Sequence, residues 1–540
     1  MFFNLDLIVF IGYIIAVFMV GILVSRKQKS EDYFLAGRNL TWWVIGGSLI
    51  AANISTHHFI GMSGQGFSIG LAIASYEWLA AIALIIVGKF FLPFYLKSRI
   101  TTMPEFLARR FNNQVRLGFA IISLIGYVFI ELAVVLYTGA LAMESLFGLP
   151  VYWGLGILFI VAGSYTIYGG LRSVAYTDIV QVTLLITGGL AVTFIGLHRI
   201  GVILPDYGNN MIGGIQALYH DAPEKFSMVQ SWNHPELPWL GVFFGGMWLA
   251  NIFYWGCNQF ITQRTLAARN IWHGQMGIVF AGYLKLLVPI LVVLPGIISF
   301  FLYNPDSGLL SDEYAMDRAD LAFPTLVKNL LPAGISGLVM AGLMGAVMST
   351  IASLLTSSSS IISNDLYKPM LKPDATPREL MRTGRIAILI ILILSTIVGY
   401  FLTDLQAIFT YIQRYWSIAY PSIAVVFLAG FFYKRATGKG ALYALILGPS
   451  WALLITFLDS LGYIPQLSFL NRVIIDFIFC VFIIWKFRNK GPIAEKALLT
   501  DSSMTEEMKN VLEKKPWFFS FRFWSLLLIG IIVTLYVIFF

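Results

Sequence analysis

Residues 42–66, WWVIGGSLIAANISTHHFIGMSGQG, decide how the chain is read. They begin as an apolar segment of membrane length. At the middle they turn small and polar: Ala51, Ala52, Asn53, Ile54, Ser55, Thr56, His57 and His58. A lipid-facing helix does not carry two histidines and an asparagine there, because each polar group in hydrocarbon needs a protein, water or ligand partner. The stretch is expected to be a helix interrupted near the bilayer midplane, with carbonyls freed to coordinate a small cation. The other reading is a continuous helix whose polar residues are buried against neighbouring helices.

The rest of the chain supports a polytopic membrane protein. Of 540 residues, 58% are hydrophobic and 12% charged, against about 25% charged in soluble domains. Mean hydropathy is +0.79. A span needs about 20 apolar residues, and about 14 such segments are found. They run 5–25, 42–66, 70–96, 114–146, 151–169, 176–198, 238–258, 273–302, 332–363, 383–403, 405–430, 438–458, 470–486 and 517–540. The first run lacks a basic leader and a cleavage site, so it reads as a span rather than a signal peptide.

The net charge of +8 follows from where the basic residues fall, not from a nucleic-acid surface. Arg26, Lys27, Lys29 and Arg38 follow the first span, and Lys97, Arg99, Arg109 and Arg110 the third. Arg172 follows the fifth, and Arg264 and Arg269 the seventh. Lys368, Lys372, Arg378, Arg382 and Arg385 follow the ninth, Lys434, Arg435 and Lys439 the eleventh, and Lys496 lies in the stretch after the thirteenth. Basic loops face the cytoplasm, so both termini are expected outside a plasma (inner) membrane.

The external loop 303–322 is acidic, with Asp306, Asp312, Glu313, Asp317 and Asp320. Cys257 and Cys480 lie in apolar segments and supply neither a disulfide framework nor a metal spacing. No phosphate loop, catalytic carboxylate pair or nucleophile motif is present, so the chain is not read as an enzyme, and there is no room for a nucleotide domain. A sensor would be expected to add a soluble output domain. Weak symmetry relates 42–198 to 238–430, each opening on a polar-interrupted helix, with 5–25 and 438–540 peripheral. An odd number of spans per copy makes the repeats inverted, a layout of secondary transporters.

Candidate site residues lie within the spans. Asn251, Tyr254, Trp255 and Asn258 fall at i, i+3, i+4 and i+7, a helix face mixing amides and rings. Rings stack on the CH face of a sugar and amides bind its hydroxyls, although an interfacial aromatic belt reads similarly. Lys285, in AGYLKLLVPI, lies about 12 residues into its span, or roughly 18 Å deep. A charge there needs a partner, and Glu77 and Glu131 are the candidates. Ala346, Ser349 and Thr350 lie at i, i+3 and i+4 and can complete a cation site with the Ala51 and Ile54 carbonyls, or serve as small polar glue between helices. The run Ser357–Ser360 reads as packing. Phe409, Gln413 and Ser417 share a further face. Asp178 either tunes cation release or caps its helix.

The chain resembles the sodium/solute symporter family, in its sodium–glucose/galactose branch. The matching stretches are EDYFLAGRNLTWWVIGGSLIAANIS, FIGMSGQGFSIGLAIASYEW, SYTIYGGLRSVAYTDIVQV, YWGCNQFITQRTLAA, GAVMSTIASLL and YIQRYW. The resemblance implies an all-α protein with an inverted five-helix repeat of the leucine-transporter fold, and sodium-driven sugar uptake by alternating access.

It implies a sugar site at His58, Glu77, Asn251, Tyr254, Lys285 and Gln413. Met62, Tyr76 and Phe409 would form the outer lid, with Trp255 as a further gate residue. It implies a sodium site at Ala51, Ile54, Ala346, Ser349 and Thr350, with Asp178 beneath it. Sodium is the coupling ion and no cofactor is expected. The partners are a sugar, sodium and the bilayer, without nucleic acid, in a monomer or weak homodimer. The bacterial galactose pattern has glutamine where His58 stands and serine where Ala80 stands, and Glu131 departs from it too. Sialic acid, myo-inositol or an amino acid is the alternative solute.

Overall fold

The computed structural model describes residues 4–25, 33–306, 308–311, 316, 318–402, 408–463, 467–493 and 504–540. Arg26, Lys27, Lys29 and Lys496 of the basic loops, and Asp312, Glu313 and Asp317 of the acidic loop, lie outside these residues. Among the described residues the chain is helical, with one isolated β-bridge between Leu40 and Ala268. Among the described residues eight helices are long and apolar enough to cross a membrane, or nine if the pair Ile408–Trp416 and Tyr420–Phe432, bent by 50°, is one span. Other expected spans fail that criterion for physical reasons. Trp42–Ser68 and Trp239–Leu266 are interrupted, Val151–Ser164 is short, and Phe469–Lys486 carries Arg472, Asp476 and Lys486.

Ten helices position the site. They are α1 (Asn4–Ser25), α2 (Trp42–Asn53), α3 (Ser75–Ile86), α4 (Val151–Ile203), α5 (Gly246–Ile252), α6 (Gln259–Leu266), α7 (Ile271–Val288), α8 (Ile335–Ile361), α9 (Ile408–Trp416) and α10 (Tyr420–Phe432).

The interruption expected in residues 50–58 is present. α2 stops at Asn53, Ile54 is extended at φ −80° and ψ 113°, and a wide π turn resumes at His57–Met62. The local sequence explains why. Asn53, Ser55 and Thr56 compete for backbone hydrogen bonds with their side chains, and Ile54 and Thr56 are β-branched. The Ser55 amide points to His58 Nδ1 at 3.4 Å, and the His57 amide to Ser55 Oγ at 3.4 Å. The His58 amide donates to the Ser55 carbonyl at 3.0 Å. In an unbroken helix these three amides would bond the carbonyls of Ala51, Asn53 and Ile54. Those carbonyls are therefore released from the ladder.

A second break lies at Asn258, extended at φ −81° and ψ 123° between the π turn Phe253–Cys257 and α6. The i to i+7 face read from the sequence ends there. The Asn258 side chain accepts from the Phe260 amide and the Tyr127 hydroxyl rather than facing with Asn251. The span also runs beyond residue 258, to Leu266. The two expected spans 151–169 and 176–198 are present as the two arms of α4, separated by a non-helical kink at Gly170.

Small residues and caps bring the site helices together. α2 crosses α7 where Gly46 meets Gly277: a Cβ on Gly46 would lie 2.7 Å from the Gly277 carbonyl oxygen. That close crossing uses the small residues favoured between membrane helices. At the start of α8, Asp6 of α1 accepts from the amides of Gly334 and Gly337 at 2.7 and 2.8 Å and from the Ser336 hydroxyl at 2.7 Å. A carboxylate at a helix N-terminus answers both its free amides and its dipole. Ser357–Ser360 are fully buried within α8, as expected of a packing run.

Gly170 kinks α4 at φ 56° and ψ −172°. Only glycine occupies that region without strain. An added Cβ would sit 2.7 Å from the Tyr33 carbonyl, which accepts the Leu171 amide at 3.1 Å. Gly170→Ala is therefore expected to cost about 1–3 kcal/mol. A lowered midpoint in thermal unfolding of the purified protein checks this; an unchanged midpoint would remove the kink from the fold's requirements.

Candidate functional site

A chain of polar contacts crosses the core beside the break. Lys285 of α7 donates to Glu77 of α3 and to Asn53 Oδ1 at the end of α2. Asn53 Nδ2 donates to the Tyr254 hydroxyl at 3.0 Å. His58 Nε2 lies 3.6 Å from the other Glu77 oxygen. Lys285 is 1% exposed. A buried charge of this kind is tolerated only when paired and hydrogen-bonded. Of the two acids proposed from sequence as its partner, Glu77 is the one it meets; Glu131 is not in a salt bridge among the described residues. The Trp255 ring lies 5.0 Å from the ammonium, a cation–π contact that helps hold it.

This chain forms one wall of a small cavity of about 60 Å³. His58, Glu77, Asn251, Tyr254, Lys285 and Gln413 all line it, as do Tyr76, Phe409 and Trp255. Met62, expected in the lid, does not line it; it is fully buried beyond.

Phe409 meets Tyr76 edge to face at 5.1 Å and approaches His58 at 6.0 Å. Beside them Gln65 donates to Thr410 at 3.2 Å, and Thr410 donates to Glu236 at 3.1 Å. These contacts tie the helix after the break, α9 and the segment carrying Glu236 together beside the aromatic pair. Glu236 lies outside the spans, and burial pushes its carboxyl up, with the Thr410 hydroxyl opposing. Ser417 does not face the cavity with Gln413; it lies in the bend after α9, where its hydroxyl donates to the Arg414 carbonyl at 2.6 Å.

α8 passes the end of α2 on its other side. Thr350 Oγ1 lies 3.1 Å from the Ala52 carbonyl and 3.0 Å from that of Ala346. The released carbonyls of Ala51 and Ile54 thus belong to the segment that Thr350 touches. Ser349 donates to Asp178 at 2.5 Å. A hydroxyl that donates its proton keeps its lone pairs for a cation. Among the described residues no His, Cys, Asp and Glu side chains cluster as a metal site. Neutral carbonyls and hydroxyls suit a hard monovalent ion better than a divalent one.

Asp178 is not a helix cap. It lies past the Gly170 kink, inside α4 and fully buried. It accepts from Ser48 and from Arg264 at 3.1 Å. Arg264, counted from sequence among the basic loop residues, is 0% exposed. α6 continues the span past the Asn258 break, so Arg264 faces protein rather than water. It also donates to Ser48 at 2.6 Å, to the Phe260 carbonyl at 2.5 Å and to Ser353. Arg110 is likewise buried, donating to the Gly430 and Tyr433 carbonyls at 2.8 and 3.1 Å at the end of α10. A helix continuing after an Asn break was the missed signal for Arg264.

The profile of the sodium:solute symporter family matches residues 33–448. A sodium/glucose cotransporter of Vibrio parahaemolyticus is 40% identical over 481 residues, covering 86% of this chain and 88% of that protein. A sodium/myo-inositol cotransporter 2 of Bos taurus is 33% identical, covering 86% of this chain and 72% of its own length. The solved structure of a Na+-coupled sialic acid symporter shares the fold, with a TM-score of 0.78 at 23% identity over 90% of this chain and 97% of that one.

Removing one member of a buried ion pair strands the other charge, at about 3–5 kcal/mol. Arg264→Met is therefore expected to lower thermal stability strongly, and Asp178→Asn added to it to restore most of the loss. A double-substitution cycle of unfolding midpoints checks this. Strictly additive losses would show that the two residues act independently.

Proposed function

The chain belongs to the sodium:solute symporter family, and on that premise we propose that it imports a galactose- or glucose-type hexose with sodium by alternating access. It is a multi-pass membrane transporter rather than an enzyme, with sodium as its coupling ion. The observation that carries the sugar reading is the cavity in which the chain His58–Glu77–Lys285–Asn53–Tyr254 meets aromatic walls. Glu77 keeps acceptor sites for hydroxyls, Asn251 and Gln413 offer amides, and the Tyr254 ring can stack on the apolar face of a pyranose. Phe409 and Tyr76 cover the solute from outside.

Sodium binds between the carbonyls of Ala51, Ile54 and Ala346 and the hydroxyls of Ser349 and Thr350. Ordering the break positions Asn53 and His58, which belong to the sugar site. Each ligand then meets a segment already ordered by the other, so each favours the other's binding. Asp178 lies beneath the ion through Ser349 and eases its departure to the inside. The inverted repeats are 42–198 and 238–430, with 5–25 and 438–540 peripheral. Rocking of these repeats exposes the site alternately to the two sides. The protein sits in the plasma (inner) membrane with both termini outside, as a monomer or weak homodimer.

A second polyol, myo-inositol, is favoured by the relative from Bos taurus. A carboxylated solute would need a free cation in the cavity, and Lys285 is already held by Glu77.

Uptake of labelled galactose and glucose into proteoliposomes tests the proposal. A sodium gradient is expected to drive accumulation; equal uptake in potassium alone would reject sodium coupling. Ser349→Ala is expected to raise the sodium needed for half-maximal uptake several-fold, by loss of one ion ligand. An unchanged sodium dependence would remove Ser349 from the site.

A further inference from the structure

A second cleft, of about 650 Å³, lies away from the solute cavity. It opens where two C-terminal helices, α11 (Glu506–Glu513) and α12 (Phe521–Ile538), meet α7 and the span Leu71–Lys97. Its wall is mostly apolar, with Ile85, Leu512, Leu526 and Ile529. Lys89, Lys515 and Arg522 line it too, and among the described residues no acidic side chain does.

The three cations come from separate stretches of chain. Lys89 stands on the π turn Val87–Phe91, about eight residues before the end of its span, or roughly 12 Å inside it. It is exposed, as is Phe90 beside it, so this face of the helix meets hydrocarbon. Lys515 follows α11 and lies 4.3 Å over the Trp272 ring at the start of α7. Arg522 opens α12. None of the three is in an ion pair among the described residues. Like charges facing one apolar cleft repel one another, and an ammonium at the depth of Lys89 is costly without a counter-charge.

Ser525 is an independent sign of a ligand. It lies one turn past Arg522, lines the cleft and is 5% exposed, and its hydroxyl has no hydrogen-bond partner. Buried polar groups are nearly always bonded, so its partner is expected from outside the chain.

We propose that this cleft holds one anionic phospholipid, with its phosphate among Lys89, Lys515 and Arg522, its glycerol-ester region at Ser525 and an acyl chain along Ile85, Leu526 and Ile529. Both halves of the cleft are then used. A free anion gains nothing from an apolar wall, and a zwitterionic lipid brings no net charge to answer three cations. Basic pockets between helices at the cytoplasmic face are a recurring form of lipid recognition. Lys97, Arg99 and Arg269 put this end of the helices on the cytoplasmic side in the orientation proposed above. The lipid fastens α12, a peripheral helix, to α7, which carries Lys285 of the solute cavity.

Native mass spectrometry of the full chain in a neutral detergent tests this. Phosphatidylglycerol and phosphatidylcholine with the same acyl chains are offered together at equal concentration. The wild type is expected to retain one phosphatidylglycerol with a preference of about 10–100-fold, and each of Lys89→Gln, Lys515→Gln and Arg522→Gln to cut that preference about fivefold. The three side chains are exposed, so the variants are expected to fold. Phosphatidylglycerol, and not phosphatidylcholine, is expected to raise the thermal unfolding midpoint of the wild type. A wild type that does not distinguish the two lipids overturns the proposal without any variant. A preference that all three variants keep in full places the lipid elsewhere and also overturns it. An equal rise in midpoint with glycerol phosphate, which has no acyl chains, marks a free-anion site and contradicts the lipid.

Discussion

A backbone carbonyl inside a membrane must have a partner, and α2 ends where three have lost theirs. The carbonyls of Ala51, Asn53 and Ile54 are left by amides that turn to Ser55 and His58. Everything near the site is arranged around that segment. Thr350 of α8 reaches it from one side, and Lys285 of α7 from the other. Gly46 and Gly277 let α7 come close enough to do so.

Two buried ion pairs hold α2 in place, one at each end of its last turns. Asp178 and Arg264 share Ser48, while Glu77 and Lys285 reach Asn53 through the ammonium. Pairs of this kind add little net stability but are costly to break. Their effect is to fix where the helix stops. The ion and the solute are thereby proposed to meet the same few residues: the break supplies carbonyls toward α8, and Asn53 and His58 toward the cavity. Coupling between two ligands needs no long path when both act on one short segment.

The break was legible because Asn53, Ser55, Thr56, His57 and His58 sit where hydrocarbon forbids them unpartnered. Lys285 was legible for the same reason, and its depth pointed to an acid on a neighbouring helix. Arg264 was not. An arginine after an apolar run reads as a loop residue unless the helix is known to resume past Asn258. Ser417 was misplaced because a bend after α9 ends the helical period on which its spacing argument relies. Asp178 was ambiguous: its distance from the helix start depends on the second arm of α4 beginning at Gly170 rather than near residue 176.

The central claim is that sodium orders the interrupted segment and so prepares the solute cavity. Hydrogen–deuterium exchange at the amides of Ile54 to His58, measured in sodium and in potassium, tests it most directly. The account predicts markedly slower exchange in sodium, with a further slowing when hexose is added. Exchange at these amides that is the same in both cations would contradict it.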